Sequence, residues 1–366
     1  MKYIINESDL IYNIEAVKAE MGEECKIIGV LKGNGYGFGR DYMAKLLLEN
    51  GIDTFAVTEI EDAEELLSGI LKGKDMLMLR STAIPDEAAR IADIGAIATI
   101  GSFEAAKVYD AYCHSKGIVG RAHIKIDTGM GRYGFLPRET DDIIKVYQSC
   151  SNISFEGIYT HFAAAFTDNN RTKEQLALFN KTVAQIMNMG IDVGLMHAAN
   201  SSAAFNVPES RLRAVRIGSA FTGRILGENA EKLKRVGYMS VKVVDITNLP
   251  AGHKIGYNGT YTTNKETKVA ILPIGHTDGW GMAPVYDSFS LKDSTRKSLS
   301  NIKKQVKGNK NSVEINSQKY FTVGQIGLSH TAVDVTGSEI KAGDEAKLDF
   351  SPLYVNPLIK REYIKD

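Results

Sequence analysis

The 366-residue chain is 43% hydrophobic and 24% charged, the balance of a globular protein, and its length favours two domains over one. Its 44 basic and 44 acidic side chains cancel, so no global field draws it to nucleic acid or to an anionic membrane, and neither partner is expected. Three scattered cysteines, Cys25, Cys113 and Cys150, argue against a disulfide framework or a metal site and for a reducing cytoplasm, and neither the N-terminal Met1-Lys2-Tyr3-Ile4-Ile5 nor any later segment reads as a signal peptide or membrane span.

An amphipathic stretch over 9–19 opens the chain. Short apolar segments then alternate with longer helical ones. Strands are expected over 26–31, 54–57, 76–79, 97–100, 122–126, 155–160, 195–198 and 214–217, and the helical stretches between them include 59–69, 85–94, 104–115 and 173–188. Eight βα units within about 220 residues are what a TIM (β/α)8 barrel requires. An open doubly wound sheet is the fallback, but no Gly-x-Gly-x-x-Gly loop accompanies it. From about Val236 alternating segments over 240–246, 268–273, 312–315 and 345–350 are separated by turn residues such as Pro250-Ala251-Gly252 and Tyr257-Asn258-Gly259. That pattern predicts a mostly antiparallel domain. The expected organisation is an α/β barrel over 1–235 followed by a β-rich C-terminal domain over 236–366, with a basic insertion near 284–312. In that insertion Lys292, Arg296, Lys297, Lys303, Lys304, Lys307 and Lys310 face the single Asp293. Such a run either binds an anionic partner or forms a solvated face, and 298–306 reads as an inserted surface helix.

Five polar residues fall at or just after expected strand ends, where a parallel α/β unit exposes its chemistry. Lys32 is delivered by the apolar run 27–31 into the glycine-rich stretch Val30-Leu31-Lys32-Gly33-Asn34-Gly35-Tyr36-Gly37-Phe38-Gly39, before a helical pattern begins at Arg40. A lysine desolvated there becomes an amine nucleophile suited to an imine with a carbonyl cofactor; the decapeptide alone also fits a solvated lysine in a turn. Arg132 lies in His123-Ile124-Lys125-Ile126-Asp127-Thr128-Gly129-Met130-Gly131-Arg132-Tyr133-Gly134-Phe135, where a tight loop presents a guanidinium fork either to a planar carboxylate or to a surface ion pair. His161 ends Gly157-Ile158-Tyr159-Thr160-His161, a position that is most often structural. In His197-Ala198-Ala199-Asn200-Ser201-Ser202-Ala203-Ala204 a hydroxyl and backbone amides open a short helix, a phosphate cradle unless Asn200 or Ser201 only caps it. Arg216, in Arg213-Ala214-Val215-Arg216-Ile217-Gly218-Ser219, completes the set.

Taken together these stretches resemble the alanine racemase family, in family order and over almost the whole chain. The family's loop Val-Val-Lys-Ala-Asn-Ala-Tyr-Gly-His-Gly matches 30–39, with Gly33, Gly35 and Phe38 departing. The resemblance implies a racemase dependent on pyridoxal 5′-phosphate. Racemisation needs a base on each face of the α-carbon: Lys32, which also holds the cofactor, for the D face, and Tyr257, in Lys254-Ile255-Gly256-Tyr257-Asn258-Gly259, for the L face. In the family this tyrosine comes from the partner subunit, so a head-to-tail homodimer is implied. Arg216 and His161 would lower its phenol pKa. Tyr36, Ser201, Gly218 and Ser219 match phosphate contacts, His161 a link from Arg216 to the tyrosine, and Tyr354 a second tyrosine near the phosphate. Arg132 and the backbone amide of Leu328 match contacts to the substrate carboxylate, and Lys125 matches a lysine that is often carbamylated. Arg216 matches the arginine on the pyridine nitrogen, which keeps that nitrogen neutral and counts against the acidic-residue decarboxylases of the same fold. Departures gather at the mouth of the site, where Phe166, His276, Gln325 and Ser329 replace aspartate, tyrosine, arginine and aspartate. Alanine is the expected substrate, with serine or a larger amino acid as the variant. A weakly active cofactor-binding regulatory protein is the alternative class, against which the retention of both Lys32 and Tyr257 speaks.

Overall fold

A computed structural model describes residues 1–282 and 311–365, so the basic run expected within 291–311 lies, except for Asn311, outside the described residues. The chain divides into two compact units, one of Glu7–Val236 and one of Met1–Asn6 with Gly237–Lys365.

The first strand, β1 (Lys2–Asn6), belongs to the second unit. The next eight, β2 (Lys26–Val30), β3 (Thr54–Val57), β4 (Asp75–Ser81), β5 (Ile97–Ile100), β6 (Gly120–Lys125), β7 (Ile153–Tyr159), β8 (Leu195–Asn200) and β9 (Ala214–Ile217), close into a parallel barrel in which β2 pairs with β9. This is the TIM barrel. Its strands were visible in the sequence because a parallel strand covered on both faces reads as an unbroken apolar run, as every residue of β3, β5 and β9 is buried. Ile28, Val30, Ala56, Leu77, Ile97 and Ala214 pack together as one core cluster of this unit. The helices outside carry ordinary stop and start signals: Pro85 opens Pro85–Asp93, the Ser102 hydroxyl caps Phe103–Lys116, and Gly117 closes that helix in the left-handed conformation.

The second unit contains a nine-stranded sheet. Its remaining strands are β10 (Tyr238–Lys242), β11 (Asp245–Leu249), β14 (Thr267–Leu272), β15 (Ser312–Ile315), β16 (Gln318–Thr322), β17 (Thr331–Asp334), β18 (Glu345–Leu348) and β19 (Arg361–Ile364), in the order β11-β14-β17-β16-β15-β18-β10-β1-β19. All neighbours are antiparallel except β1 and β19. A two-stranded hairpin, β12 (Lys254–Ile255) with β13 (Tyr261–Thr262), flanks Tyr257.

Here the structure departs from the pattern. The single strand expected over 240–246 is two, β10 in the sheet interior and β11 at its edge, because the chain switches partners between Val243, which bonds to Asp344, and Val244, which bonds to Ile271. Among the described residues no helix is long and apolar enough to cross a membrane.

Candidate active site

The chain leaves β2 through a turn of unusual hand. Gly33 (φ 63, ψ 44), Asn34 (φ 54, ψ 52), Gly35 (φ 60, ψ 43) and Tyr36 (φ 55) are all left-handed, tied by Gly35 N–H to the Leu31 carbonyl and Gly37 N–H to that of Gly33, both at 2.8 Å. Each ordinary L-residue held this way costs about 1–2 kcal/mol, so glycine at 33 and 35 removes the strain at two of the four positions, Asn34 is of a type that tolerates it, and Tyr36 bears its own. The Asn34 side chain then accepts the Arg40 N–H at 2.9 Å and starts helix Arg40–Glu49. Lys32 is thus fixed between a barrel strand and a rigid turn. Burial, then the charges of Arg132 and Arg216, lower its ammonium pKa, which favours the neutral amine.

Arg132 is set by Asp127. The two carboxylate oxygens of Asp127 accept the N–H groups of Gly129, Met130, Gly131 and Arg132 at 2.7–3.1 Å, so the acid is spent on shaping the loop. Burial works against its ionisation, but the four amides outweigh it and hold the carboxyl below its usual range. Lys125, 2% exposed, ends β6 with its Nζ over the rings of Tyr133 (5.2 Å) and Tyr159 (5.6 Å). Burial, then Arg132 and Arg216, push it down to about 7.

The two readings of the 200–204 stretch separate. Asn200 is the cap, its Oδ1 accepting the Ala203 N–H, while the Ser201 hydroxyl is turned elsewhere and accepts from Gly218 N–H (3.0 Å) and Ala220 N–H (3.2 Å). A hydroxyl in a nest of amides beside a helix start marks a place for anionic oxygen. Asn200 Nδ2 and Ser202 Oγ are buried without a hydrogen-bond partner among the described residues. The Tyr36 ring lies against the Cα of Gly218, where a Cβ would overlap it. Burial pushes the Tyr36 phenol up to about 12, so it remains a donor.

Arg216 is 3% exposed, yet among the described residues no carboxylate pairs with it. Its guanidinium donates to His197 Nδ1 (2.7 Å), the Thr160 and Ala198 carbonyls (2.7 and 2.9 Å) and His161 Nδ1 (3.3 Å). Burial lowers its pKa to about 10, still cationic at neutrality. Burial, then Arg216, hold His161 far below its usual value, so it is neutral. The barrel unit therefore gathers Lys32, Tyr36, Arg132, His161, Ser201, Arg216 and Gly218, with Ser219 next in the chain.

Tyr257, Leu328 and Tyr354 lie in the second unit. Tyr257, 72% exposed, and Leu328, 68% exposed, line one cavity of about 670 Å³ with Gln325 and Ser329. The Leu328 carbonyl is engaged by Thr277. Tyr354 ends the short turn Pro352–Tyr354, and the His276 ring donates from Nδ1 to the Trp280 carbonyl at 3.0 Å. Phe166, in the barrel unit, lines a cavity of about 300 Å³ with Asn206 and Leu226.

Three residues were given no role by sequence reasoning. Tyr159 stacks on His197 (4.7 Å, 9°) and lies under the Arg216 guanidinium at 4.9 Å, and His197 meets His123 at 2.9 Å. Their signal was present: polar rings inside the expected barrel strands, where a buried polar group needs a partner.

Comparison with known proteins gives a consistent result. Residues 5–225 match the family described as alanine racemase, N-terminal domain, and 236–351 the alanine racemase C-terminal domain. An alanine racemase of Clostridium tetani is 33% identical over 353 residues, spanning 94% of this chain and 84% of its own. The fold is that of the solved alanine racemase of Clostridium difficile 630 (TM-score 0.84, 24% identity, 100% of this chain and 96% of that one). It is also that of the Bartonella henselae alanine racemase with covalently bound pyridoxal phosphate (TM-score 0.83, 23% identity, 99% of each chain).

Proposed function

The chain belongs to the alanine racemase family, isomerases that work with pyridoxal 5′-phosphate, and from that premise we propose that it interconverts L- and D-alanine with this cofactor held at the C-terminal end of the barrel. The observation that carries the reading is an unbalanced charge. Lys32, Lys125, Arg132 and Arg216 influence one another's surroundings, Arg216 has no carboxylate partner among the described residues, and the nearby Asp127 is occupied by four amides. A buried cation in such a place needs an anion. A phosphate and a substrate carboxylate supply it, and the orphaned Ser202 Oγ and Asn200 Nδ2 add unfilled polar capacity.

In this reading Tyr36 Oη, Ser201 Oγ and the amides of Gly218 and Ser219 hold the phosphate, and Arg216 donates to the ring nitrogen with His161 and Tyr354 near by. Arg132 takes the substrate carboxylate in its fork, aided by the Leu328 amide. Pyridoxal phosphate, when bound, supplies an electron sink that acidifies the α-carbon of an attached amino acid. Lys32 Nζ anchors the cofactor and moves the proton on the D face, and Tyr257 Oη moves it on the L face. The family resemblance assigns the L-face base to the partner of a homodimer, the exposure of Tyr257 beside a large groove leaves it free to serve that role, and the three free cysteines support a reducing cytoplasm.

The test is α-proton exchange by NMR in heavy water, with added cofactor and a panel of L- and D-amino acids. Exchange from both enantiomers of alanine, with inversion, is expected. Gln325 and Ser329 line the groove beside Tyr257, so the panel includes serine and larger side chains; a faster rate there would move the substrate assignment. Silence across the panel, with cofactor bound, would leave a regulatory binding protein.

Two narrower outcomes follow from the geometry. Gly218→Ala places a methyl group in the Tyr36 ring, so cofactor affinity by equilibrium dialysis should fall about tenfold or more while the circular dichroism spectrum is retained. Lys125, deprotonated in good part at neutral pH, can add carbon dioxide at Nζ with loss of a proton, giving a carbamate that sets an anion near Arg132. Protein equilibrated with ¹³C-bicarbonate should show a carbamate resonance that Lys125→Met lacks.

A further inference from the structure

Hydrogen-bond direction runs the length of the barrel. Guanidinium can only donate, so the 2.7 Å contact from Arg216 makes His197 Nδ1 an acceptor and puts the His197 proton on Nε2. That N–H meets His123 Nδ1 at 2.9 Å, which makes His123 an acceptor there in turn and puts its proton also on Nε2. His123 then lines a cavity of about 260 Å³ at the opposite mouth of the barrel, with Lys26, Asp75 and Glu156 from the starts or middles of β2, β4 and β7. We propose that His197 and His123 are positioning residues for the reaction, a one-way imidazole relay that fixes the Arg216 guanidinium from the far end of the barrel while leaving its charge uncompensated.

Several observations support a role beyond filling space. Tyr159 stacks on His197 and carries the guanidinium over the same ring, so the plane of the first imidazole is fixed on a second side. A carboxylate at position 197 would hold Arg216 more strongly but would cancel the field that it directs at a ligand; a neutral acceptor holds it and leaves that field intact. The relay works only with both rings neutral, since a proton on either Nδ1 would set donor against donor. Burial, then Arg216 and His123, keep His197 neutral, and burial with Arg121, Arg216 and Lys26, opposed by Asp75, pushes His123 down to about 3. Neither ring therefore titrates near neutrality.

The assignment of Arg216 to the cofactor ring rests on the proposed function, whereas the tautomers do not, and the experiment separates the two. Long-range ¹⁵N–¹H correlation on ¹⁵N-histidine-labelled protein should show both rings neutral with the proton on Nε2 from about pH 5.5 to 8.5. Two variants then ask what the relay does. His123→Leu removes the acceptor, whereas His123→Asn offers Oδ1 in place of Nδ1. The leucine variant should shift the His197 nitrogen signals and weaken pyridoxal phosphate binding about tenfold, and the asparagine variant should restore both, affinity to within about twofold. A proton on Nδ1 of either ring in the parent, or an asparagine variant no better than leucine, overturns the relay. If the leucine variant does not fold, the parent's tautomers and the asparagine variant's affinity decide it. Correct tautomers in a protein that exchanges no amino-acid proton would sink the proposed reaction and not the relay.

Discussion

Lys32→Ala should lower α-proton exchange from both enantiomers of alanine by at least about 10⁴-fold, because one substitution removes the covalent anchor and the D-face base together. The structure gives the reason for choosing this amine. It leaves a barrel strand into a left-handed turn that cannot swing, and burial with two neighbouring guanidinium groups favours its nucleophilic form. Lys125 is the competing amine, more deeply buried and also depressed, to about 7. Reduction with borohydride distinguishes them: the cofactor should be trapped on the parent and on Lys125→Met but not on Lys32→Ala. Trapping that survives in Lys32→Ala would reassign the anchor.

Tyr257→Phe should cost about 10³-fold in exchange from L-alanine with cofactor binding kept, since only a hydroxyl is lost and its contribution is proton transfer. A loss confined to one enantiomer is the mark of a base serving one face. The variant also tests the partner-supplied arrangement. Lys32→Ala and Tyr257→Phe should each racemise poorly alone, yet a mixed dimer would contain one site with both native groups, so random reassortment should return about a quarter of the parent's racemisation rate. No recovery on mixing, with reassortment verified by mass, would place Tyr257 and Lys32 of the same chain in one site or remove Tyr257 from the chemistry.

Lys32, Ser201 and Arg216 were legible as candidates because each interrupts or ends an apolar run, and a polar residue at the end of a buried parallel strand is hard to explain by packing, whereas Arg132 stood out in a glycine-rich loop after such a strand. Asp127 illustrates what was half legible: the tight Asp-Thr-Gly turn was visible, but its four-amide grip on the Arg132 loop was not. His123, His197 and Tyr159 stood in the same strings without a role, because their contacts depend on which strands lie side by side in the barrel, here β6 to β9.

By itself the sequence determined the eight-stranded barrel, the change to a β-rich second part near residue 236, and the identity of the chemical groups, since period, strand-end position and side-chain type are properties of short segments. Only the tertiary structure decided the partners. It moved β1 into the second sheet, split the 240–246 run between two strands, turned residues 33–36 left-handed, and joined Arg216 to His123 through His197. All but the turn are pairings between residues far apart in the chain, where hydrogen-bond direction and burial are set by neighbours that local pattern cannot see, and the turn is a run of left-handed backbone closed by local bonds from Gly35 to Leu31 and from Gly37 to Gly33.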